Sequence, residues 1–227
     1  MLIKLSGEAL AGEGEHGINP VTISNIASQI VRIHNDCVQV AIVVGGGNFW
    51  RGRQGQQMNR TTADQMGMLA TLMNSLALQE SIESKGATVR VQSALSIPSV
   101  AESVVLRKAE EHFAAGHIVI FACGTGHPYF STDTGAALRA AEIGADVLLM
   151  AKNIDGVYDS DPKKNKDAKK YESISYLEII NQGLELMDTT AVTLCMENKI
   201  KIIAFGLDVE NSIIKAALGE KIGTIVS

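Results

Sequence analysis

The chain has no cationic surplus: 20 Lys and Arg stand against 25 Asp and Glu, a net charge of -5. Broad nucleic-acid binding needs a cationic surface for the phosphate backbone, so that class is set aside. No apolar run approaches the roughly 20 residues of a membrane-spanning helix, so no membrane role is expected. Cysteine is scarce. Cys37, Cys123 and Cys195 are odd in number, widely spaced and without a C-x-x-C pair, which argues against a disulfide framework or a zinc site. They read as reduced, cytosolic thiols serving as small core residues. None of the 5 His has a partner at metal-ligand spacing, and no Ser-His-Asp or Cys-His set stands out. The first residues enter a strand pattern with no charged n-region and no cleavage site, so a secretion signal is not expected.

What is present is an alternation of strand and helix. Its 227 residues, 46% of them hydrophobic, suffice for one large domain or two tightly fused halves. Strand-like runs fall at Leu2–Leu5, Val38–Val44, Thr88–Val91, Ile118–Ala122, Val147–Met150, Ile200–Phe205 and Gly223–Val226. Asn19-Pro20 opens a helix, with Asn as N-cap and Pro at the first helical position. Ile23, Ile26, Ile30 and Ile33 then recur at the spacing of one buried face, and Met66, Leu69, Met73 and Leu76 repeat it on the next helix. This rhythm predicts a single three-layer α/β/α domain around a largely parallel sheet. Asp159–Lys170, DSDPKKNKDAKK, is nearly without apolar residues and is expected to form an exposed loop or flap. Residues 1–227 read as one domain with two lobes, softly divided near 144–150.

Loops after three of the strands carry the chemistry. GTGHPYFSTD, Gly124–Asp133, lies between the run HIVIFA and a helix pattern, and offers amides and hydroxyls to a phosphate at a helix N-terminus. KLSG at Lys4–Gly7 and VVGGGN at Val43–Asn48 are loops of the same kind, and such loops converge on one edge of a parallel sheet. Lys4 is either a cation for phosphates in transit or an edge-strand lysine in solvent. GGGN matches neither the P-loop nor the dinucleotide fingerprint. Of the two arginines after it, Arg51 is favoured over Arg53 for phosphate capture because it is nearer the glycines.

Asp64 opens the Met-rich helix. It either complements the helix dipole or accepts hydrogen bonds from sugar hydroxyls. Met58, Met66, Met68 and Met73 read as core filler. Tyr158 either lies along a base or packs locally, Asp161 caps a turn or touches a ribose, and His127 is positional within its loop.

KLSGEAL, VVGGGNFWRG, MNRTTADQMGMLATLMNSLALQ, GTGHPYFSTD and NIDGVYDSDP, in this order, resemble the bacterial uridylate (UMP) kinases of the amino acid kinase superfamily. The likeness runs from Leu2 to the C-terminal EKIGTIV. KLSG and the glycine loop are shared across the superfamily. Met58–Gln79 is the specific stretch, similar to uridylate kinases and not to acetylglutamate, aspartate or carbamate kinases. Members generally carry several residues ahead of their first strand, whereas this chain starts within it.

The resemblance implies the amino acid kinase fold, ATP and UMP as substrates, Mg²⁺, and a homohexamer. It implies ATP contacts for Lys4, Leu5, Ser6, Gly7, Gly47 and Arg51, with Asn153, Tyr158 and Asp161 on the adenosine side. It implies UMP contacts for Gly46, for Asp64 at the ribose, and for the loop Thr125, Gly126, His127, Pro128, Tyr129, Phe130, Ser131 and Thr132. Asp133 and Asp188 match carboxylates of the family's active-site network, so Lys4, Arg51, Asp133 and Asp188 form the expected catalytic set. No residue is assigned as a metal ligand. Position 152 is Lys where relatives vary, which adds a cation on the ATP side.

The implied reaction is ATP + UMP → ADP + UDP. Its acceptor is already ionised, so positioning and charge neutralisation replace a general base. A kinase of an amino-acid carboxylate is the alternative on the same scaffold, and a nucleotide sensor without turnover is a third. Gly12–Gly17 occupies the place of a GTP-responsive segment but carries Glu13 and Glu15 and no basic residue. Weak or absent GTP activation is therefore expected, with UTP inhibiting from the UMP pocket. The isoleucine face and the Met-rich face together offer more apolar surface than one sheet face covers, which points to a subunit interface.

Overall fold

The computed structural model describes residues 1–12, 16–50, 58–162 and 164–227. Arg51, Arg53, Glu13 and Glu15, four of the residues singled out above, lie outside the described residues. Among those described, the strands are β1 (Leu2–Leu5), β2 (Ala41–Val44), β3 (Val89–Ser93), β4 (Glu102–Ser103), β5 (Ile118–Ala122), β6 (Val147–Lys152), β7 (Ser173–Ile174), β8 (Lys201–Gly206) and β9 (Gly223–Val226). The helices are α1 (Glu8–Ala11), α2 (Pro20–Asn35), α3 (Arg60–Glu83), α4 (Leu106–Ala114), α5 (Thr132–Glu142), α6 (Tyr176–Gln182), α7 (Thr189–Glu197) and α8 (Ser212–Ala217).

The strands form one 9-stranded sheet in the order β4-β3-β5-β2-β1-β6-β8-β9-β7. Neighbours are parallel except β8 and β9, which pair antiparallel. β1 lies at the centre, with Leu2 level with Ala41 of β2 and Leu148 of β6. β1, β2 and β5 are buried along their whole length, which explains their unbroken apolar runs. Alternation sorts their side chains between two cores. Ile3, Leu5, Ile42, Ile118 and Ile120 pack under α2, α3 and α8, while Leu2, Val43, Val119 and Phe121 face α5 and α7. Lys4 shares the parity of Leu2 and is thereby aimed at the α5 side. The architecture is the expected three-layer α/β/α domain.

α2 begins as its sequence requires: Asn19 Oδ1 accepts from the amides of Val21 at 3.0 Å and Thr22 at 3.1 Å. Its four isoleucines are all buried. The neighbouring helix departs from expectation. Met66, Leu69 and Met73 of α3 are 36%, 46% and 52% exposed, and Met58 is exposed too, leaving Met68 as the buried member of that methionine group. The buried face of α3 combines Met68, Leu72, Leu78 and Ile82 with small and polar residues, Ala63, Ala70, Thr71, Asn74 and Ser75, and the glycine loop packs close against Ala70 and Thr71. α3 also starts earlier than Asp64. Asn59 is its N-cap and its first turn holds no acid, so the dipole role for Asp64 is corrected.

Cys123 and Cys195 are buried, but Cys37 is exposed, at a left-handed φ of 63° just after α2. The run read as a strand from Val38 pairs only from Ala41, and the short strands β4 and β7 carry too few residues to leave a pattern. β6 runs on to Lys152, placing that lysine on the sheet. Asp159–Lys170 forms neither helix nor extended strand among its described residues, as its composition predicts. No described helix is long and apolar enough to cross a membrane.

Candidate active site

Parallel pairing of β1 with β2 and β6, and of β2 with β5, sets the C-terminal ends of these strands side by side. KLSG, the glycine loop, the Gly124–Asp133 loop and Lys152 therefore meet at one edge of the sheet. Close approach explains the glycines. A Cβ on Gly7 would lie 2.5 Å from the Gly47 amide nitrogen, and one on Gly46 would lie 2.9 Å from the Ala70 Cβ. Any larger residue would push backbone apart. Asn48 and Asn74, both fully buried, lock the glycine loop to α3. Asn74 Nδ2 donates to Gly45 O and to Asn48 Oδ1, each at 2.7 Å, and Asn48 Nδ2 donates to Asn74 Oδ1 at 3.0 Å.

The charged centre is built from three elements. Lys4 Nζ, on β1, stands 2.7 Å from Asp133 Oδ1 in the first turn of α5, as an ion pair with both side chains largely buried. The contact is made by charge at an angle outside hydrogen-bond geometry, and Oδ1 has no hydrogen-bond donor among the described residues. Lys152, at the end of β6, donates from Nζ to the Leu186 carbonyl. Burial pushes the Lys152 ammonium below its ordinary pKa; Asp133 pulls it back up, Lys4 pushes it down and Glu185 raises it. Lys4, Asp133 and Lys152 thus share one field.

Asp188 stands beside this centre as the N-cap of α7, accepting from the Ala191 amide at 3.0 Å. Thr134 Oγ1 donates to it at 2.9 Å and the Ser131 hydroxyl donates as well. Ser131 is itself the N-cap of α5, so one carboxylate ties together the starts of two helices. Its place is that of a positioning residue for the Ser131–Thr134 turn.

On one side of the edge lies a cleft of about 240 Å³ between the glycine loop, the N-terminal half of α3 and the loop before α5. Gly46, Gly47, Asp64, Thr125, His127 and Phe130 contribute to its wall, together with Ser131 and Thr132. Gly126, Pro128 and Tyr129 belong to the same loop but do not line the cleft among the described residues. Asp64 Oδ2 accepts from Arg60 Nε and from the Tyr129 backbone N–H, each at 2.8 Å. Trp50, unremarked in the sequence, closes the cleft with its indole N–H bonded to Ala63 O at 2.9 Å.

A second cleft of about 320 Å³ is bounded by residues 154–162 and 182–185. Tyr158 and Asp161 line it, whereas Asn153 and the KLSG residues do not among the described residues. The Tyr158 hydroxyl donates to Asp155 Oδ1 at 2.7 Å, and that bond raises its pKa. Lys170 Nζ pairs with Asp155 Oδ2 at 2.8 Å and folds the charged flap over this side. Leu5 is core, and the Ser6 hydroxyl accepts from the Ala9 amide at 3.1 Å. Among the residues passed over by sequence reading, Arg60 alone left a signal, its i,i+4 spacing to Asp64. Asn48 and Asn74 owe their roles to contacts between distant segments, and Asp155 joins its near neighbour Tyr158 to Lys170 of the flap.

Comparison with known proteins agrees with this geometry. A family model described as "Amino acid kinase family" matches residues 1–205. The fold of a UMP kinase from Ureaplasma parvum superposes with a TM-score of 0.95 at 39% identity, covering 100% of this chain and 97% of that one. A UMP kinase from Bacillus anthracis gives 0.96 at 37% identity, covering 100% and 94%. A uridylate kinase from Archaeoglobus fulgidus gives 0.76 at 30% identity, covering 100% and 99%.

Proposed function

The chain belongs to the amino acid kinase family and is a kinase, and from that premise we propose that it transfers the γ-phosphoryl group of ATP to UMP, yielding ADP and UDP. The observation that carries this is the Asp64 carboxylate on the wall of a cleft shared with the glycine loop and the loop before α5. A phosphate sits against the amides of Gly46–Gly47 and the start of α5. Asp64 receives the ribose hydroxyls. ATP occupies the second cleft, with the adenosine near Tyr158 and Asp161, on the side that Asn153 leads to. In these terms residues before about 144–150 form the acceptor lobe and those after it the donor lobe.

Phosphoryl transfer between two phosphates needs no general base, because the attacking oxygen is already ionised at neutral pH. The protein's work is to hold donor and acceptor in line and to offset charge as it redistributes. Lys4 reaches the transferring group from the sheet, held in place by Asp133. Lys152 adds a second cation on the donor side, and Arg51 a third by resemblance. Asp188 fixes the Ser131–Thr134 turn against which the acceptor phosphate rests.

Among the described residues no three His, Cys, Asp or Glu side chains converge as a metal cage. Mg²⁺ carried in on ATP is ordinarily held by phosphates, water and one or two carboxylates. Asp133 would be the carboxylate to hold it, and the ion would supply charge neutralisation at the phosphates.

The proposal extends to UTP as an inhibitor competing for the acceptor cleft, to weak or absent GTP activation, to a homohexamer, and to pyrimidine nucleotide synthesis in the cytoplasm. A coupled assay of ADP release against UMP, CMP, dUMP and glutamate derivatives is the direct test. Turnover with UMP is the expected result, with CMP and dUMP measuring the selectivity; turnover of a glutamate derivative, or none with any acceptor, overturns the assignment.

A further inference from the structure

We infer that Arg60 is a positioning residue that sets acceptor selectivity: it fixes the Asp64 carboxylate and, through Tyr129, holds the acceptor loop over the cleft. This rests on the acceptor reading given above. Arg60 and Asp64 are one helical turn apart at the start of α3, and the Nε–Oδ2 contact is 2.8 Å. The same Oδ2 accepts the Tyr129 N–H at 2.8 Å. The Arg60 guanidinium also lies over the Tyr129 ring, 5.3 Å from its centroid. Two donors therefore converge on one oxygen, and Oδ1 carries no hydrogen bond among the described residues. Oδ1 is the atom left for a ligand in the cleft that Asp64 lines.

Tyr129 makes the arrangement dependent on these contacts. It adopts φ of 74°, a left-handed conformation costly for a bulky residue, and the residue is 67% exposed. Packing in the core does not hold it there. The hydrogen bond from the Tyr129 N–H to Asp64 and the stack on Arg60 are what tie this turn of the loop to α3. An ordinary surface role for Arg60 predicts little, because exposed i,i+4 pairs on a helix contribute only weakly and Arg60 is 52% exposed. Its effect should appear in substrate choice and not in stability. A guanidinium is suited to the task, since it can bond a carboxylate at its edge while stacking an aromatic face, which an ammonium cannot do with the same geometry.

The test compares Arg60→Met, Arg60→Lys and Tyr129→Leu with wild type, using UMP and dUMP as acceptors and thermal unfolding as the control. A carboxylate that loses its orienting bond should raise the UMP KM about tenfold in Arg60→Met. ATP KM and Tm should stay near wild type. The ratio of kcat/KM for UMP over dUMP should fall toward unity, since the group that senses the ribose is no longer aimed. Arg60→Lys should recover part of the UMP KM, and Tyr129→Leu combined with Arg60→Met should be less than additive. An Arg60→Met enzyme with wild-type UMP KM and wild-type UMP/dUMP ratio overturns the inference, as does equal damage to both substrates. A wild-type enzyme that does not phosphorylate UMP at all overturns the acceptor reading and the inference together. Wild-type turnover with an indifferent variant sinks the inference alone.

Discussion

Lys4 of the central strand and Asp133 of the first turn of α5 meet at 2.7 Å, across 129 residues of sequence and within a largely buried site. A pair of this kind is costly to break from one side, because the remaining charge keeps its burial and loses its partner. Two consequences can be separated. On the proposed mechanism, in which this charge acts on the group in transit, Lys4→Met should lower kcat by about 100-fold or more while nucleotide binding persists. The same variant should lose stability, and adding Asp133→Asn should restore that stability without restoring kcat. Full activity in Lys4→Met would remove the lysine from the mechanism.

Asp64 should matter to one substrate. If Asp64 receives the ribose as proposed, Asp64→Asn should leave its hydroxyls poorly paired and raise the UMP KM roughly tenfold, with the ATP KM little changed. Steady-state kinetics with each nucleotide varied in turn decides it. Equal loss on both nucleotides would mean that Asp64 serves only to hold α3 against the loop.

Lys152 should exchange stability for activity. Its folded-state pKa lies below the unfolded value of 10.5, burial being the main cause. The folded chain then holds its proton less tightly than the unfolded chain. The resulting cost is complete at neutral pH and shrinks as pH rises through the folded pKa toward 10.5. Lys152→Met should therefore be more stable than wild type near pH 7, with the gap closing as pH rises, and should turn over more slowly. Urea midpoints for both proteins across that range measure the gap. A constant gap, or a less stable variant at pH 7, would contradict it.

Much of this arrangement was legible in the chain. The runs at Leu2–Leu5 and Ile118–Ala122 became strands with the same ends, because unbroken apolar segments fit strands buried on both faces; Gly223–Val226 kept its ends too, with burial that alternates along the strand. The three phosphate-type loops did reach one edge, as parallel pairing of their strands requires. The face of α3 was misread for a physical reason. Apolar spacing reveals a stripe but not which way it points, and close packing of the glycine loop demands small side chains such as Ala70 on the inner side. Contacts such as Tyr129 to Asp64, 65 residues apart, leave no local trace. Cys37 was assigned to the core from its residue type, yet it takes the left-handed position after α2, where the chain turns at the surface.

Stability at high pH should depend on Cys195 and Tyr176. Burial raises the Cys195 thiol from 9.0 to about 12 and the Tyr176 phenol from 10.0 to about 12. For both, the folded state keeps a proton that the unfolded state has released, so their contribution is complete below the unfolded values and is lost as pH climbs from about 9 to about 12. Cys195→Ala should flatten the decline that begins near the thiol's unfolded value, at some cost from the vacated volume. Denaturation midpoints at stepped alkaline pH test it, and an unchanged slope would exclude the thiol.

The exposed face of α3 should bind a second copy of the chain. Met66, Leu69 and Met73 follow one another at three- and four-residue steps, so they form a single stripe on the outer side of the helix. The isoleucines of α2, once counted with them, are spent in the core. What remains is a smaller but well-defined patch of flexible, adaptable side chains of the sort used at interfaces. The resemblance to uridylate kinases makes a closed homo-oligomer, a hexamer, the expected assembly. Because α3 also carries Asp64 and Arg60 in its first turns, pairing along this helix would stiffen the wall of the acceptor cleft. Sedimentation should give a closed assembly for wild type, and Leu69→Asp with Met73→Lys should shift it to smaller species while raising the UMP KM more than the ATP KM. A wild-type chain that sediments as a monomer at every concentration would defeat the assembly, and dissociation with unaltered UMP kinetics would cut its link to the cleft.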